Sequence, residues 1–149
     1  MNTDNNLLAI LQIKSIKGLE TSVSGFFENL CYNWMEDKKR ITQIKIAINE
    51  VCNNAIEHAH KFDETKYVFV EFYKLKDFFE IIISDQGEST YSPKSIPSKD
   101  EIEERIDTIE RDGKERGMGT FLIHYFVNSV KYEENKPHGT KVILTIRIK

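Results

Sequence analysis

The chain has little of what would mark a disulfide scaffold, a metal-finger module or a membrane protein. Only two cysteines, Cys31 and Cys52, occur among 149 residues. Their spacing fits neither a metal site nor a redox pair, so both are expected to be reduced, half-buried thiols. Long apolar runs are missing as well. The run from Leu7 to Leu11 is too short for a signal core or a membrane span, and no basic leader precedes it. There is no excess of basic residues. Lys and Arg number 21 against 24 Asp and Glu, for a net charge of -3 and a pI near 5.8. That balance argues against a nucleic-acid binder relying on a broad basic surface. No internal repeat is found. The expectation is a cytoplasmic protein with neither nucleic acid nor membrane as partner.

With 40% hydrophobic and 30% charged residues, the chain is expected to form one domain over residues 1–149 around a single core. "LLAILQIK" reads as a first strand, at an exposed sheet edge. Leu19, Val23, Phe26, Phe27, Leu30 and Trp34 recur at helical spacing and predict a first helix from about Lys17 to Trp34. Beyond the charged break "EDKKR", Ile41, Ile44, Ile48, Val51, Cys52, Ala55, Ala59 and Phe62 predict a second helix. "KYVFVEFYKL" and "FFEIIIS" alternate or are β-branched and predict two strands joined at Lys76-Asp77, the Ile81-Ile82-Ile83 run suggesting a central position. "DQGESTYSPKSIPSKD" has almost no core residues. A charged helical piece follows, with Ser98 and Glu101 spaced as a capping box and Ile102, Ile106 and Ile109 as a narrow apolar stripe. So long an interval between core elements reads as a lid or binding element. "GTFLIHYFVNSV" predicts a third core helix, and "KYEE" and "TKVILTIRI" two closing strands. The order β-α-α-β-β-lid-α-β-β implies helices on one face of a mixed sheet.

One stretch of the second helix resists a purely structural reading. "INEVCNNAIEHAH" places Asn53 and Asn54 in a helix interior, where asparagine is disfavoured by up to about 0.7 kcal/mol relative to alanine. At helical spacing Glu50, Asn54 and Glu57 share the face opposite the apolar stripe, with His58 at its edge. A carboxamide oxygen suits Mg²⁺, and a neighbouring carboxylate can accept a proton from an attacking hydroxyl or water. The plain alternative is the polar back of any surface helix. Asp85 and Gly87 close the most apolar strand. There an aspartate can accept a hydrogen bond from an amino group such as adenine's, and glycine lets the backbone approach a flat ligand, although Asp-x-Gly is also an ordinary turn signal. Gly117 and Gly119 open a helix whose free N–H groups favour a phosphate, or they are plain caps. Gly139-Thr140 enters the last strand.

Together and in this order, Glu50-x-x-x-Asn54-Ala55, Asp85-x-Gly87, Gly117-x-Gly119 and Gly139-Thr140 resemble the nucleotide-binding boxes of the GHKL ATPase superfamily. The short layout around "NEVCNNAIEHA" is most similar to the anti-sigma-factor serine/threonine kinases of bacterial partner switching. The resemblance implies an α+β fold, a two-layer α/β sandwich of the Bergerat type with a long ATP lid at about residues 88–116. It implies ATP and Mg²⁺ as cofactors. Asn54 would hold the metal, Asp85 the adenine amino group, and Gly87 would allow approach of the base. Gly117, Met118 and Gly119 would cradle phosphates with Arg116 in reach, and Thr140 would support Asp85. Glu50 would orient or deprotonate the attacking group. His58 is read as a structural polar contact, and Glu57 as solvated or paired rather than catalytic.

The activity so implied is protein serine/threonine kinase. The chain would phosphorylate an anti-sigma-factor antagonist and sequester a sigma factor or similar regulator, with a homodimer as a further expectation. A nucleotide-gated binding module without kinase activity is the alternative. Two departures motivate it: Ser89 stands where relatives often carry a second glycine, and "YSP" at Tyr91–Pro93 replaces an aromatic-Asp-Pro run.

Overall fold

Alternation along the strands builds the sheet. The computed structural model describes residues 3–91, 98, 100–104, 107 and 119–148. Its strands are β1 (Leu7–Lys14), β2 (Tyr67–Lys74), β3 (Phe78–Ser84), β4 (Ser129–Glu134) and β5 (Thr140–Arg147), and its helices α1 (Glu20–Cys31), α2 (Lys38–Asn53) and α3 (Gly119–Phe126). The described strands form one sheet in the order β1-β2-β3-β5-β4, and every neighbouring pair is antiparallel.

The expected mixed sheet is therefore corrected. The segment between β3 and β4 returns the chain in the direction of β3, as helical crossovers do. β5 then inserts between the two like-directed strands, so no parallel pair forms. β1 lies at an edge and β3 at the centre, as their sequences suggested.

Register places one side chain of every inward pair against its neighbour. Val70 faces Ile83 and Phe72 faces Ile81 across β2 and β3. Ile83, Ile81 and Phe79 face Val142, Leu144 and Ile146 across β3 and β5. All of these are buried, whereas Leu8 and Ile10 of β1 project outward and are exposed. The helices cover the buried face. Phe27 of α1 is inaccessible and meets Phe72 and Phe79 at ring-centroid distances of 6.4 and 5.6 Å. Burying such a side chain contributes about 1.5–3 kcal/mol. From α2, Ile41, Ile44, Ile48 and Val51 join the same core. The result is a helical layer on an antiparallel sheet.

Helix boundaries have local causes. Gly18, at φ +102°, turns the chain into α1, and its N–H donates to the Glu20 carboxylate at 2.8 Å. Asp37 caps α2 by accepting the Arg40 N–H at 3.2 Å. The third helix, expected to continue to Val130, ends at Phe126. There Arg40 donates to the Phe126 carbonyl and to Asn128 Oδ1 at 2.9 Å, and Asn128 Oδ1 also accepts the Arg147 N–H at 2.7 Å. Asn128 is thereby tied to the last strand instead of extending the helix.

Candidate functional site

The second helix does not run on to Phe62 with one period. After Asn53 it widens into a π-turn, Asn54–Ala59. The Asn54 N–H is shared between the carbonyls of Glu50 and Val51, and the His60 N–H reaches back five residues to the Ala55 carbonyl at 2.9 Å. Each residue of a π-turn advances less than 100°, so the apolar face slips by about one position. Ile56 and His60 become buried at 1% and 2% exposure, whereas Phe62, expected in the stripe, is 46% exposed. Such turns are frequent at functional sites, and this one lies where the two asparagines stand.

The end of β3 is fixed from several directions. Asp85 is buried. Its N–H donates to the Thr140 carbonyl at 2.9 Å, and its carbonyl accepts from Asn135 Nδ2 at 2.7 Å. Its Oδ1 accepts the N–H of Gly87 at 2.9 Å and that of Thr140 at 3.2 Å. Among the described residues no hydrogen bond reaches Oδ2, which is left to the cavity that Asp85 lines.

Two glycines make this arrangement possible. Gly139 has φ +109° and packs so tightly on the Asp85 carbonyl that a Cβ would overlap it. At Gly87 a Cβ would lie 3.0 Å from that of Ala59, so the backbone and the π-turn meet in close contact. The Gly87 carbonyl receives a hydrogen bond from His138 Nδ1 at 2.7 Å.

The cavity between these elements has a volume of about 590 Å³. Val51, Ala55, Ile83, Ile123 and Val142 give it an apolar floor, and Asn54, Asp85 and Thr140 contribute polar groups. The Asn54 carboxamide makes no hydrogen bond among the described residues and is half-buried. Tyr91 and Tyr132 form an edge-to-face wall, 5.5 Å between centroids. Burial pushes the Tyr132 phenol up to about 12, so it stays neutral, and its hydroxyl lies 3.3 Å from His124 Nε2. Burial lowers the pKa of His124.

Asn54, Asp85 and Thr140 thus border one cavity, with Gly87 beside it. Glu50 stands one helical turn before Asn54, its carboxylate so close to the Gly119 backbone at the start of α3 that a Cβ there would overlap Glu50 Oε2. Arg116, Gly117 and Met118 lie outside the described residues, as do Ile106, Ile109 and most of the expected lid at 88–116. Within the lid, the Glu101 N–H donates to Ser98 Oγ at 3.1 Å, and Ile102 is buried. Glu57 is exposed. His58, expected as a structural polar contact, is exposed and lines the cavity.

Sequence reasoning missed Ser89, Thr90, Tyr91, Thr120 and Tyr132 on the cavity wall. Only the inward alternation of β4 pointed at Tyr132. It also missed His60, which the π-turn alone brings inward.

The arrangement suits a planar base with a polyphosphate. Asp85 offers an acceptor, and Gly87, bare of a Cβ, lets the turn that carries it pack against Ala59. A lone carboxamide suits a cation that keeps its waters and phosphate oxygens. Among the described residues no cluster of three or more His, Cys, Asp or Glu could hold a metal. No helix among the described residues is long and apolar enough to cross a membrane.

Comparison with known proteins places the chain among relatives of one kind. The histidine kinase-like ATPase domain matches residues 18–146. The chain is similar to the serine-protein kinase RsbW of Bacillus subtilis strain 168, with 34% identity over 85% of this chain and 74% of that protein. It also resembles an anti-sigma F factor of Clostridium perfringens, with 30% identity over 71% of each chain. It spans 65% of the length of another serine-protein kinase RsbW, from Halalkalibacterium halodurans, at 33% identity over 76% of this chain. Among solved structures, a chain of the SiaB–SiaC complex from Pseudomonas aeruginosa shares the fold, at a TM-score of 0.63 and 10% identity over 97% of this chain and 92% of that one.

Proposed function

The chain belongs to the histidine kinase-like ATPase domain family, and from that premise we propose that it is an ATP- and Mg²⁺-dependent serine/threonine protein kinase of the anti-sigma type. Its substrate would be a hydroxyl on an anti-sigma-factor antagonist, and it would sequester a sigma factor or similar regulator, the two partners being exchanged with nucleotide state. A homodimer belongs to the same reading.

The observation that carries the proposal is Asp85. Two backbone N–H groups hold its Oδ1, which turns Oδ2 toward a cavity that also receives Asn54. In the proposed complex Asp85 Oδ2 accepts the adenine amino group, and Gly87, bare of a Cβ, keeps the turn packed on Ala59 beside the base. Asn54 Oδ1 would be the protein ligand to the metal. Bound Mg²⁺-ATP supplies the transferable phosphoryl group and a cation that offsets its charge. Glu50 takes the proton of the attacking hydroxyl, and the small Gly119 leaves room for its carboxylate. Gly119 and, by sequence position, Arg116, Gly117 and Met118 contact the phosphates. Thr140 braces Asp85 through its N–H and carbonyl.

The test is phosphate transfer from ATP to a purified candidate antagonist by the wild type and by Glu50→Gln. Loss of a general base lowers the transfer rate by roughly 10²–10⁴-fold, and ATP affinity should be nearly unchanged. Equal phosphorylation by both forms would remove Glu50 from the mechanism. Ser89 at the cavity wall favours a second reading, a nucleotide-gated binding module. Calorimetric ATP binding without transfer to any partner would select it.

A further inference from the structure

His60 belongs to none of the sequence boxes, yet it connects three elements behind the base-binding turn. It closes the π-turn, it is 2% exposed, and both ring nitrogens are engaged. Nε2 lies 2.9 Å from the backbone nitrogen of Gln86, the residue between Asp85 and Gly87. Nδ1 lies 2.6 Å from Ser15 Oγ, just past the end of β1.

The partners dictate the proton positions. A backbone N–H only donates, so Nε2 must offer its lone pair to Gln86. The ring proton then sits on Nδ1 and is donated to Ser15 Oγ, whose own hydrogen goes to the Lys66 carbonyl at 3.1 Å. Each donor in this relay has an acceptor, the Lys66 carbonyl also taking the Ser15 N–H at 3.1 Å, and the ring is neutral.

We infer that His60 is a positioning residue for nucleotide binding, whose neutral Nδ1–H form holds the Asp85-Gln86-Gly87 turn in the shape that receives the base. The inference rests on the nucleotide reading above and adds a control to it. A second proton would place an N–H on Nε2 against the Gln86 N–H, two donors face to face, and the turn would have to move. Asp85 is braced on its other side by Thr140 and Asn135 of the β5 approach, so the movement falls on the base-binding side. The charged groups around the ring are Asp85, Lys66 and Asp63. Burial is the largest influence and lowers the ring's pKa, with Lys66 acting in the same direction and Asp85 and Asp63 opposing. Affinity for an adenine nucleotide should therefore fall as the pH drops below the usual imidazole range.

Two measurements on the full chain decide this. The first is the ¹⁵N–¹H correlation spectrum of the ligand-free protein at pH 7.5, which reads the His60 tautomer; the expected result is a protonated Nδ1 and a bare Nε2. The second is the calorimetric Kd for Mg²⁺-ATP at pH 7.5 and 5.0 for wild type, His60→Gln and His60→Leu. Glutamine accepts the same N–H without taking a proton, so His60→Gln should bind like wild type at pH 7.5. His60→Leu should bind about tenfold more weakly.

Between pH 7.5 and 5.0 the ratio of the wild-type Kd to that of His60→Gln should rise at least about twofold. Taking the ratio cancels the titration of ATP itself and of every group that the two forms share. If His60→Leu fails to fold, the tautomer and the His60→Gln ratio still decide the matter. A protonated Nε2, or a ratio that stays flat while ATP binds normally, overturns the inference alone. Absence of ATP binding by the wild type at either pH overturns the nucleotide reading and the inference with it.

Discussion

Asp85→Asn is the substitution that most directly interrogates the base end of the cavity. The aspartate Oδ1 accepts from Gly87 N–H at 2.9 Å and from Thr140 N–H at 3.2 Å. An asparagine keeps an oxygen for those two donors, which forces its NH₂ group into the place of Oδ2, facing the cavity. The adenine amino group would then meet a donor where the wild type offers a charged acceptor. A charge-assisted hydrogen bond is worth about 1.5–3 kcal/mol, so the Kd for Mg²⁺-ATP should rise roughly 10–100-fold. Guanine presents a carbonyl oxygen where adenine presents its amino group, and the same substitution should improve GTP binding. Calorimetric titration of wild type and variant with both nucleotides reads the two effects, and thermal melting shows whether the turn survives. ATP affinity within about threefold of wild type, with an unchanged preference over GTP, would refute the assignment of Asp85 to the base.

Three further outcomes are expected. Gly119→Ala pushes a methyl group onto Glu50 Oε2; displacement of a reacting group by about 1 Å costs on the order of 100-fold in rate, so phosphate transfer should drop by more than ATP affinity does, as paired kinase and calorimetric assays would show. Gly139→Ala places a Cβ on the Asp85 carbonyl at φ +109°; a strain of about 1–3 kcal/mol should lower the Tm by roughly 2–4 °C per kcal/mol and weaken ATP binding with it. Burial lowers the pKa of His60 and His124 in the fold, so the unfolded chain binds their protons more tightly. Their contribution is present above pH 6.5 and is lost as the pH falls through the lowered folded values; the urea midpoint at pH 5.5 should lie below that at pH 7.5, and equal midpoints would contradict it.

The fold was legible wherever side-chain period and partner agreed. The alternation in "KYVFVEFYKL" and the Ile81-Ile82-Ile83 run yielded β2 and a central β3, because one face of each strand meets the helices. The third helix was overextended because Val127 and Val130 continue an apolar pattern. What stops it is a tertiary event, the capture of Asn128 by Arg40 and Arg147. The antiparallel sheet was hidden for a similar reason, since local pattern does not say which strand inserts between two others. In the second helix, the 100° stride held as far as Ala55 and then misplaced Phe62, Ile56 and His60, because a change of helical pitch leaves no simple compositional mark. The aromatic wall was invisible because Tyr91 lies in a segment without period, and only the folded β4 brings Tyr132 to it.

The widened turn at Asn54–Ala59 has an evolutionary corollary. It is what a one-residue insertion into a regular helix would leave behind, and it splits that helix into two segments with separate phase. Upstream positions such as Ile44 and Ile48 are locked to the hydrophobic interior, while Asn54, His58 and Ala59 of the turn line the cavity. Selection can therefore recontour the cavity side of the turn, one step at a time, while Ile44 and Ile48 keep the helix packed on the sheet.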